Sequence, residues 1–230
     1  LKYAFSNDQE TYVHEVIEKQ AHVTLARVAA EKSMVLVKND KLLPLTSETG
    51  QKVLVLGRLA NMENTGDIAS SNSTSLNITT PYEGISEFNQ ALQNEVELYD
   101  GPDTNLAADK AKEADQVILV VGYTFEDEGE YININGDMEG SAKAGKLVGK
   151  KGIGGDRESL KLLPEDEALI QAVAAVNKDI VVVYVGGSAI NMNAWEPKVA
   201  SIVFAWYGGM EGGTALANVL YGKVNPSGKL

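Results

Sequence analysis

The chain has 230 residues, of which 44% are hydrophobic and 23% are charged, a composition typical of a globular protein with a sizeable apolar core. Its 20 Lys and Arg against 32 Asp and Glu give a net charge of -12, which argues against binding to nucleic acid or to anionic membranes. No stretch approaches the roughly 20 consecutive apolar residues of a membrane span, so we expect no membrane insertion. The absence of cysteine excludes disulfides and thiolate chemistry, and two histidines argue against a histidine-rich metal site.

Hydrophobic periodicity predicts alternating helices and strands along most of the chain. Apolar residues three and four positions apart predict a helix over 13–33. Runs of consecutive apolar residues, such as VLVLG at 53–57, are typical of parallel strands covered on both faces. The repeated pattern predicts an α/β fold with an open, mostly parallel sheet and helices on both faces, an α/β sandwich. The predicted strands are 34–37, 53–57, 96–99, 117–122, 180–186 and 201–205, and the further helices are 84–92, 106–114, 165–176 and 211–221.

Two predicted loops are too long to be simple connections. Residues 58–81 are rich in Asn, Ser and Thr, and residues 123–164 are rich in Gly and acidic residues. Both loops leave the carboxyl ends of predicted strands, which is where open α/β sheets bind their ligands. We therefore expect the functional site in these loops, above all in the second.

The second loop contains four carboxylates within five residues, Glu126, Asp127, Glu128 and Glu130 around Gly129. One interpretation is a solvated acidic turn, since charge runs usually face water. A second is a catalytic acid, because glycoside hydrolysis uses two carboxyl groups and clustered acids oppose one another's ionisation. A third is a calcium site, although the spacing does not fit an EF-hand loop.

The same loop contains a near match to a phosphate-binding loop at 140–147, GSAKAGKL. The match fails at Leu147, which stands where the motif needs a hydroxyl residue to bind magnesium. The stretch also does not directly follow a strand, as that motif requires. The sequence therefore argues against nucleotide binding.

Five further residues are candidates for the site. Asp156 and Arg157 lie where the loop ends, and we expect an acidic–basic pair that anchors the base of the loop. Trp195, Trp206 and Tyr207 lie near strand ends, where aromatic side chains usually belong to the core but can also stack on sugar rings.

A series of motifs in fixed order resembles the second domain of glycoside hydrolase family 3, an α/β sandwich. The resemblance covers nearly the whole chain from about residue 22. The segments that carry it are 28–39 (VAAEKSMVLVKN), 42–45 (LLPL), Gly66-Asp67 with Ser70-Ser71, 80–85 (TPYEGI), 155–162 (GDRESLKL), 181–187 with Trp195, 205–213 (AWYGGMEGG) and 219–230 (VLYGKVNPSGKL).

This resemblance implies a retaining, exo-acting β-glycosidase, similar to β-glucosidases, that hydrolyses terminal β-linked glucosides or oligosaccharides without a metal or organic cofactor. In that family an N-terminal (β/α) barrel carries the nucleophilic Asp, and the sandwich supplies the acid/base Glu. By position relative to the family's Glu-Gly pair, Glu128 is the first candidate for the acid/base, Glu130 the second and Glu126 the third. We expect Asp156 and Arg157 to anchor the loop.

The resemblance also implies a division of the chain. Residues 1–21 are expected to lead in from the barrel domain, and residues 22–230 to form the sandwich domain, cut short at its C-terminal end. Such a chain is expected to be inactive alone. A periplasmic or secreted location is favoured over a cytoplasmic one. The alternative function is a non-catalytic carbohydrate-binding or interdomain module, whose acidic loop only rims a pocket.

Overall fold

The computed structural model describes residues 19–67, 72–130, 155 and 157–230, so the first part of the helix predicted over 13–33 lies outside the described residues. The described residues form a single six-stranded sheet with helices on both sides. None of the described helices is both long and apolar enough to cross a membrane. The elements are α1 (Gln20–Ser33), β1 (Val35–Asn39), β2 (Lys52–Leu56), α2 (Pro81–Gln90), β3 (Glu95–Tyr99), α3 (Thr104–Glu113), β4 (Gln116–Gly122), α4 (Phe125–Glu128), α5 (Pro164–Ala174), β5 (Ile180–Val185), a 3-10 turn (Glu196–Lys198), β6 (Ser201–Phe204) and α6 (Gly212–Leu220).

The sheet has the strand order β1-β6-β5-β4-β2-β3. All neighbouring pairs are parallel except β1 and β6, which are antiparallel. The predicted fold class, an open and mostly parallel sheet between helices, is therefore confirmed.

Two apolar layers cover the two faces of the sheet. Alternate residues of a strand point to opposite faces, so Val117 and Leu119 of β4 pack with α3 and α5, whereas Ile118 and Val120 pack with α1, α2 and α6. Because both faces are covered, β4, β5 and β6 are buried along their whole length. This burial explains why these strands read as continuous apolar runs.

The described helix α1 begins at Gln20, because Lys19 is its non-helical N-cap. Two further elements also differ from the prediction. Helix α2 begins at Pro81, three residues earlier than predicted, because Thr80 and Glu83 form a capping box: Thr80 Oγ1 accepts from Glu83 N–H at 3.2 Å and Glu83 Oε2 accepts from Thr80 N–H at 2.9 Å. Proline at the first helical position suits this start. The predicted loop after β4 contains a one-turn helix, α4, that hydrophobic periodicity did not predict.

The long loops meet at one place on the edge of the sheet. After β2 the chain first forms β3 on one side and then β4 on the other, so β2 and β4 flank the point where the strand order reverses. Glycines end both strands there with positive φ, +107° at Gly57 and +135° at Gly122. A Cβ at either position would collide with a carbonyl of the neighbouring strand. Ligands bind at such switch points in open α/β sheets.

Candidate active site

Helix α4 places the acidic segment at the carboxyl end of β4. Its N-cap is Thr124, whose Oγ1 accepts from Glu126 N–H at 3.2 Å, while Asp127 Oδ2 accepts from Thr124 N–H at 2.8 Å. Asp127 is thereby directed back into the turn, and Glu128 is directed toward β5 and β6. The predicted acidic run is thus a capped helical turn whose side chains make different contacts.

The carboxylate of Glu128 is held by three partners. Its Oε1 accepts hydrogen bonds from the backbone N–H of Gly187 and, at 2.7 Å, from the hydroxyl of Tyr207. Its Oε2 lies 3.0 Å from Nε of Arg157, and the two side chains are only 10% and 9% exposed. Hydrogen bonds to charged groups are among the stronger ones in proteins, so the position of this carboxylate is well defined.

Arg157 joins Glu128 to the loop after β5. Its Nη2 donates to Ser188 Oγ and, at 3.1 Å, to the carbonyl of Ala189. Its guanidinium carbon lies 4.1 Å from the ring centroid of Tyr123, a cation–π contact. The predicted partner Asp156 lies outside the described residues, so the anchoring pair stays a prediction, and the described acidic partner of Arg157 is Glu128.

Tyr207 belongs to this site through its hydroxyl, a role that the sequence did not indicate. Burial, together with the hydrogen bond to Glu128, raises the pKa of Tyr207, so the phenol stays protonated and donates. Trp206 precedes it with a positive φ of +56°, which turns the chain as it leaves β6. Trp195, in contrast, is fully buried in the core.

The carboxylate of Glu128 lines a cleft of about 530 Å³. Glu130 also lines this cleft and is exposed, and its backbone N–H donates to Asp67 Oδ1 at 3.1 Å. Glu126 is exposed and does not line it. The walls come from the loops after β2, β4, β5 and β6, so the cleft lies at the carboxyl edge of the sheet.

A second charged cluster lies beneath the cleft, between the loop after β2, the turn after β4 and helix α5. Arg58 Nη2 lies 3.5 Å from Asp127 Oδ2, and Arg58 Nε lies 3.7 Å from Asp166 Oδ1. Burial raises the pKa of Asp166 to about 6, although the N–H of Gly122 and the guanidinium of Arg58 oppose the rise. Sequence reasoning missed this cluster because its members are far apart along the chain.

Within the described residues, no group of three or more His, Asp or Glu side chains is arranged to hold a metal ion. The near match to a phosphate-binding loop at 140–147 lies outside the described residues. What the described site offers chemically is a fixed carboxylate at the wall of a polar cleft. A group of this kind can exchange a proton with a bound ligand or with water.

Comparisons with known proteins agree on the family of this fold. Residues 34–230 match the family described as the glycosyl hydrolase family 3 C-terminal domain. An exo-alpha-(1->6)-L-arabinopyranosidase of Bifidobacterium longum is 31% identical over 224 residues, which cover 91% of the chain and 27% of that protein. Thermostable beta-glucosidase B of Acetivibrio thermocellus is 32% identical over 223 residues, which cover 93% of the chain and 26% of that protein.

Solved structures show the same similarity. The beta-D-glucoside glucohydrolase of Trichoderma reesei superposes with a TM-score of 0.74 at 28% identity, over 91% of the chain and 30% of that protein. The chain therefore spans only between 26% and 30% of the length of these three proteins.

Proposed function

The chain belongs to the C-terminal domain family of glycosyl hydrolase family 3, and from this membership we propose that it is the sandwich domain of a retaining, exo-acting β-glycosidase. The proposed substrates are terminal β-linked sugars, with β-glucosides first among them. The enzyme's nucleophilic Asp is proposed to come from an N-terminal (β/α) barrel domain. Glu128 is the proposed acid/base, with Glu130 and Glu126 as its alternates.

The observation that carries this proposal is the position of Glu128. The carboxylate of Glu128 lies in the wall of the cleft and is held there by Tyr207 on one oxygen and by Arg157 on the other. A retaining mechanism needs two carboxyls about 5 to 5.5 Å apart, one to attack the anomeric carbon and one to transfer protons. A fixed carboxylate at the open edge of the sheet suits the second role, once the barrel brings the first within reach.

The proposed mechanism uses Glu128 in both of its steps. In the second step the carboxylate takes a proton from water, and Arg157 and Tyr207 hold it in place for this role. In the first step Glu128 must carry a proton to the leaving oxygen.

A second candidate function follows from the same contacts. Both oxygens of Glu128 already have partners within the domain, as a structural anchor would. In that case the acidic turn only rims a pocket, and the chain is a carbohydrate-binding or interdomain module. The two functions differ in what the loss of the carboxylate does to chemistry.

The test is Glu128→Ala in the complete enzyme, assayed with aryl glucosides of different leaving groups and with disaccharides. Activated aryl glucosides need little protonation to depart, whereas disaccharides need nearly all of it. We expect hydrolysis of disaccharides to fall by about a hundredfold or more, because general acid–base catalysis contributes about 10² to 10⁴ in rate. Added azide is expected to restore the rate with activated substrates, since azide attacks the glycosyl-enzyme without deprotonation.

Glu126→Ala and Glu130→Ala are the matched controls from the same turn. Mild and similar effects of all three substitutions would support the module and contradict the proposed enzyme role. Azide rescue of Glu130→Ala alone would move the acid/base role to Glu130 and keep the rest of the proposal.

A further inference from the structure

No residue of helix α4 belongs to either of the two apolar layers of the core, so core packing does not fix where this helix points. Its orientation is instead set where the chain leaves β4. Beyond the last sheet pairing at Gly122, the backbone needs other partners, because Gly122, Tyr123 and Thr124 are buried.

Side chains from separate elements supply most of these partners. Asp166 Oδ2, from α5, accepts from Gly122 N–H at 3.0 Å, and Arg58, from the loop after β2, donates to the carbonyl of Gly122. Asn64, from the same loop, donates to the carbonyl of Tyr123 at 2.8 Å.

The remaining partners come from the sheet and from α4 itself. Tyr123 N–H donates to the carbonyl of Val185 at 2.8 Å, and Thr124 N–H donates to Asp127. Five successive polar groups of the backbone, from Gly122 N–H to Thr124 N–H, are thus all bonded. These hydrogen bonds fix the backbone conformation of residues 122–124. They thereby fix the direction of helix α4, which carries Glu128.

Charge connects this turn to the rest of the domain. Arg58 lies between two carboxylates, Asp127 of α4 and Asp166 of α5, at 3.5 and 3.7 Å. The guanidinium therefore ties the short helix that carries Glu128 to a long helix packed on the sheet. Arg58 and Asp166 do not line the cleft, so neither takes part in its chemistry directly.

We propose that Arg58, Asn64 and Asp166 are positioning residues, which clamp the turn between β4 and α4 and thereby hold the carboxylate of Glu128 in the cleft. This inference rests on the proposed function of Glu128. Displacement of a catalytic group by about 1 Å can cost about a hundredfold in rate, so loosening the clamp is expected to weaken proton transfer while the cleft stays in place.

The experiment compares three variants of the complete enzyme. Arg58→Met removes the donors and keeps the aliphatic stem, and Asn64→Ala removes a single hydrogen bond in case the first variant fails to fold. The control is Glu31→Gln on α1, a carboxylate that is likewise buried, 5% exposed, 2.8 Å from Arg27 and bonded to Asn218. The partners of Glu31 are not clamp residues, but Glu31, like Asp166, is a buried carboxylate that joins two elements of the fold.

Two readouts are measured on each variant, hydrogen exchange over 122–129 and the leaving-group dependence of kcat/KM with aryl glucosides. Arg58→Met is expected to speed exchange by about fivefold or more and to lower kcat/KM for poor leaving groups by about tenfold or more, with little change for activated ones. Asn64→Ala should show smaller changes of the same kind. Glu31→Gln should change neither the exchange over 122–129 nor kcat/KM, even if its thermal midpoint falls by as much as that of Arg58→Met.

Unchanged exchange in both variants, or equal changes in Glu31→Gln, would overturn the clamp. Glu128→Ala measured in parallel separates the two possible failures. An unchanged leaving-group dependence in Glu128→Ala overturns the proposed function. It also overturns the proposal that the clamp positions a catalytic group. A steepened dependence there, without one in Arg58→Met and Asn64→Ala, overturns the clamp alone.

Discussion

At the scale of single residues, Asp166 illustrates how burial changes a side chain's chemistry. Its carboxyl is 3% exposed, and burial raises its pKa from 3.8 to about 6 despite the facing Arg58, while Glu165 and Asp127 add to the rise. The native chain therefore binds more protons than the unfolded chain between about pH 4 and 6. The contribution of Asp166 to stability is complete below about pH 4 and is lost as the pH rises through about 6.

Asp166→Asn should remove this part of the pH dependence, because asparagine accepts from Gly122 N–H but does not ionise. A pKa unit corresponds to about 1.4 kcal/mol, so the stability of the variant relative to the parent should rise by up to about 3 kcal/mol between about pH 4 and 7. Urea denaturation at a series of pH values measures this difference. Thr80→Ala, which alters no titratable group, is the control, and its stability difference from the parent should not change with pH. A difference for Asp166→Asn that is equally independent of pH would contradict the prediction.

Tyr207→Phe tests the hydroxyl that donates to Glu128. Loss of this hydrogen bond removes one of the described donors to Glu128 Oε1 and leaves the N–H of Gly187, so the carboxylate is held less firmly. We expect kcat/KM for aryl glucosides with poor leaving groups to fall by about tenfold in the complete enzyme, with little change for activated ones.

The matched control for this measurement is Tyr184→Phe. The hydroxyl of Tyr184 is also buried nearby, but it donates to the carbonyl of Ser188 at 2.9 Å and not to Glu128. Its removal should leave kcat/KM for poor leaving groups unchanged. An equal loss in both variants would mean that Tyr207 acts only through general packing.

At the scale of elements, the sequence predicted those helices and strands whose apolar residues recur with a clear period. Strands such as β4 and β5 are buried on both faces, so their sequences are almost entirely apolar. Helix α4 has four residues, three of them acidic, and is too short to show a period. It forms because Thr124 and Asp127, three residues apart, cap it. The residues that enter it are bonded by Arg58, Asn64 and Asp166, which lie far along the chain.

Helix α2 tests whether the capping box of Thr80 and Glu83 determines where the helix begins. Thr80→Ala removes the cap of Glu83 N–H and the hydrogen bond that Thr80 donates to Asn61 Oδ1 at 2.9 Å. We expect a loss of about 1 to 2 kcal/mol in the free energy of unfolding, measured by urea denaturation. Thr24→Ala, the same change inside α1, is the control and should cost little, since alanine has the higher helix propensity.

At the scale of the whole molecule, the resemblance of ordered motifs predicted the α/β sandwich and the family, both of which the structure and the comparisons confirm. The site was predicted less completely. Glu128 and Arg157 were singled out because they lie in a long acidic loop. Tyr207 was noted only as an aromatic near a strand end, and its hydrogen bond to Glu128 was not predicted. Gly187 and Arg58 were not named as site residues, because only the folding of the sheet brings their loops to the same edge.

The division into a lead-in over 1–21 and a sandwich over 22–230 stays a prediction, and so does the need for a second domain. The chain spans about a quarter of the length of the two curated relatives compared above. In the proposed mechanism one carboxylate attacks the sugar while another transfers protons. The described cleft has Asp67, Glu128 and Glu130 in its wall, and the proposed mechanism takes its attacking aspartate from the barrel.

The purified 230-residue chain is therefore expected to show no hydrolysis of aryl β-glucosides above the buffer rate, measured by release of the aryl group. Addition of the barrel domain as a separate polypeptide should restore turnover, because it supplies the nucleophile, and Glu128→Ala in the chain should abolish that gain with poor leaving groups. Circular dichroism of the chain provides the control that it is folded. Turnover by the chain alone that a substitution within it abolishes would place both catalytic groups in this domain and contradict the two-domain mechanism.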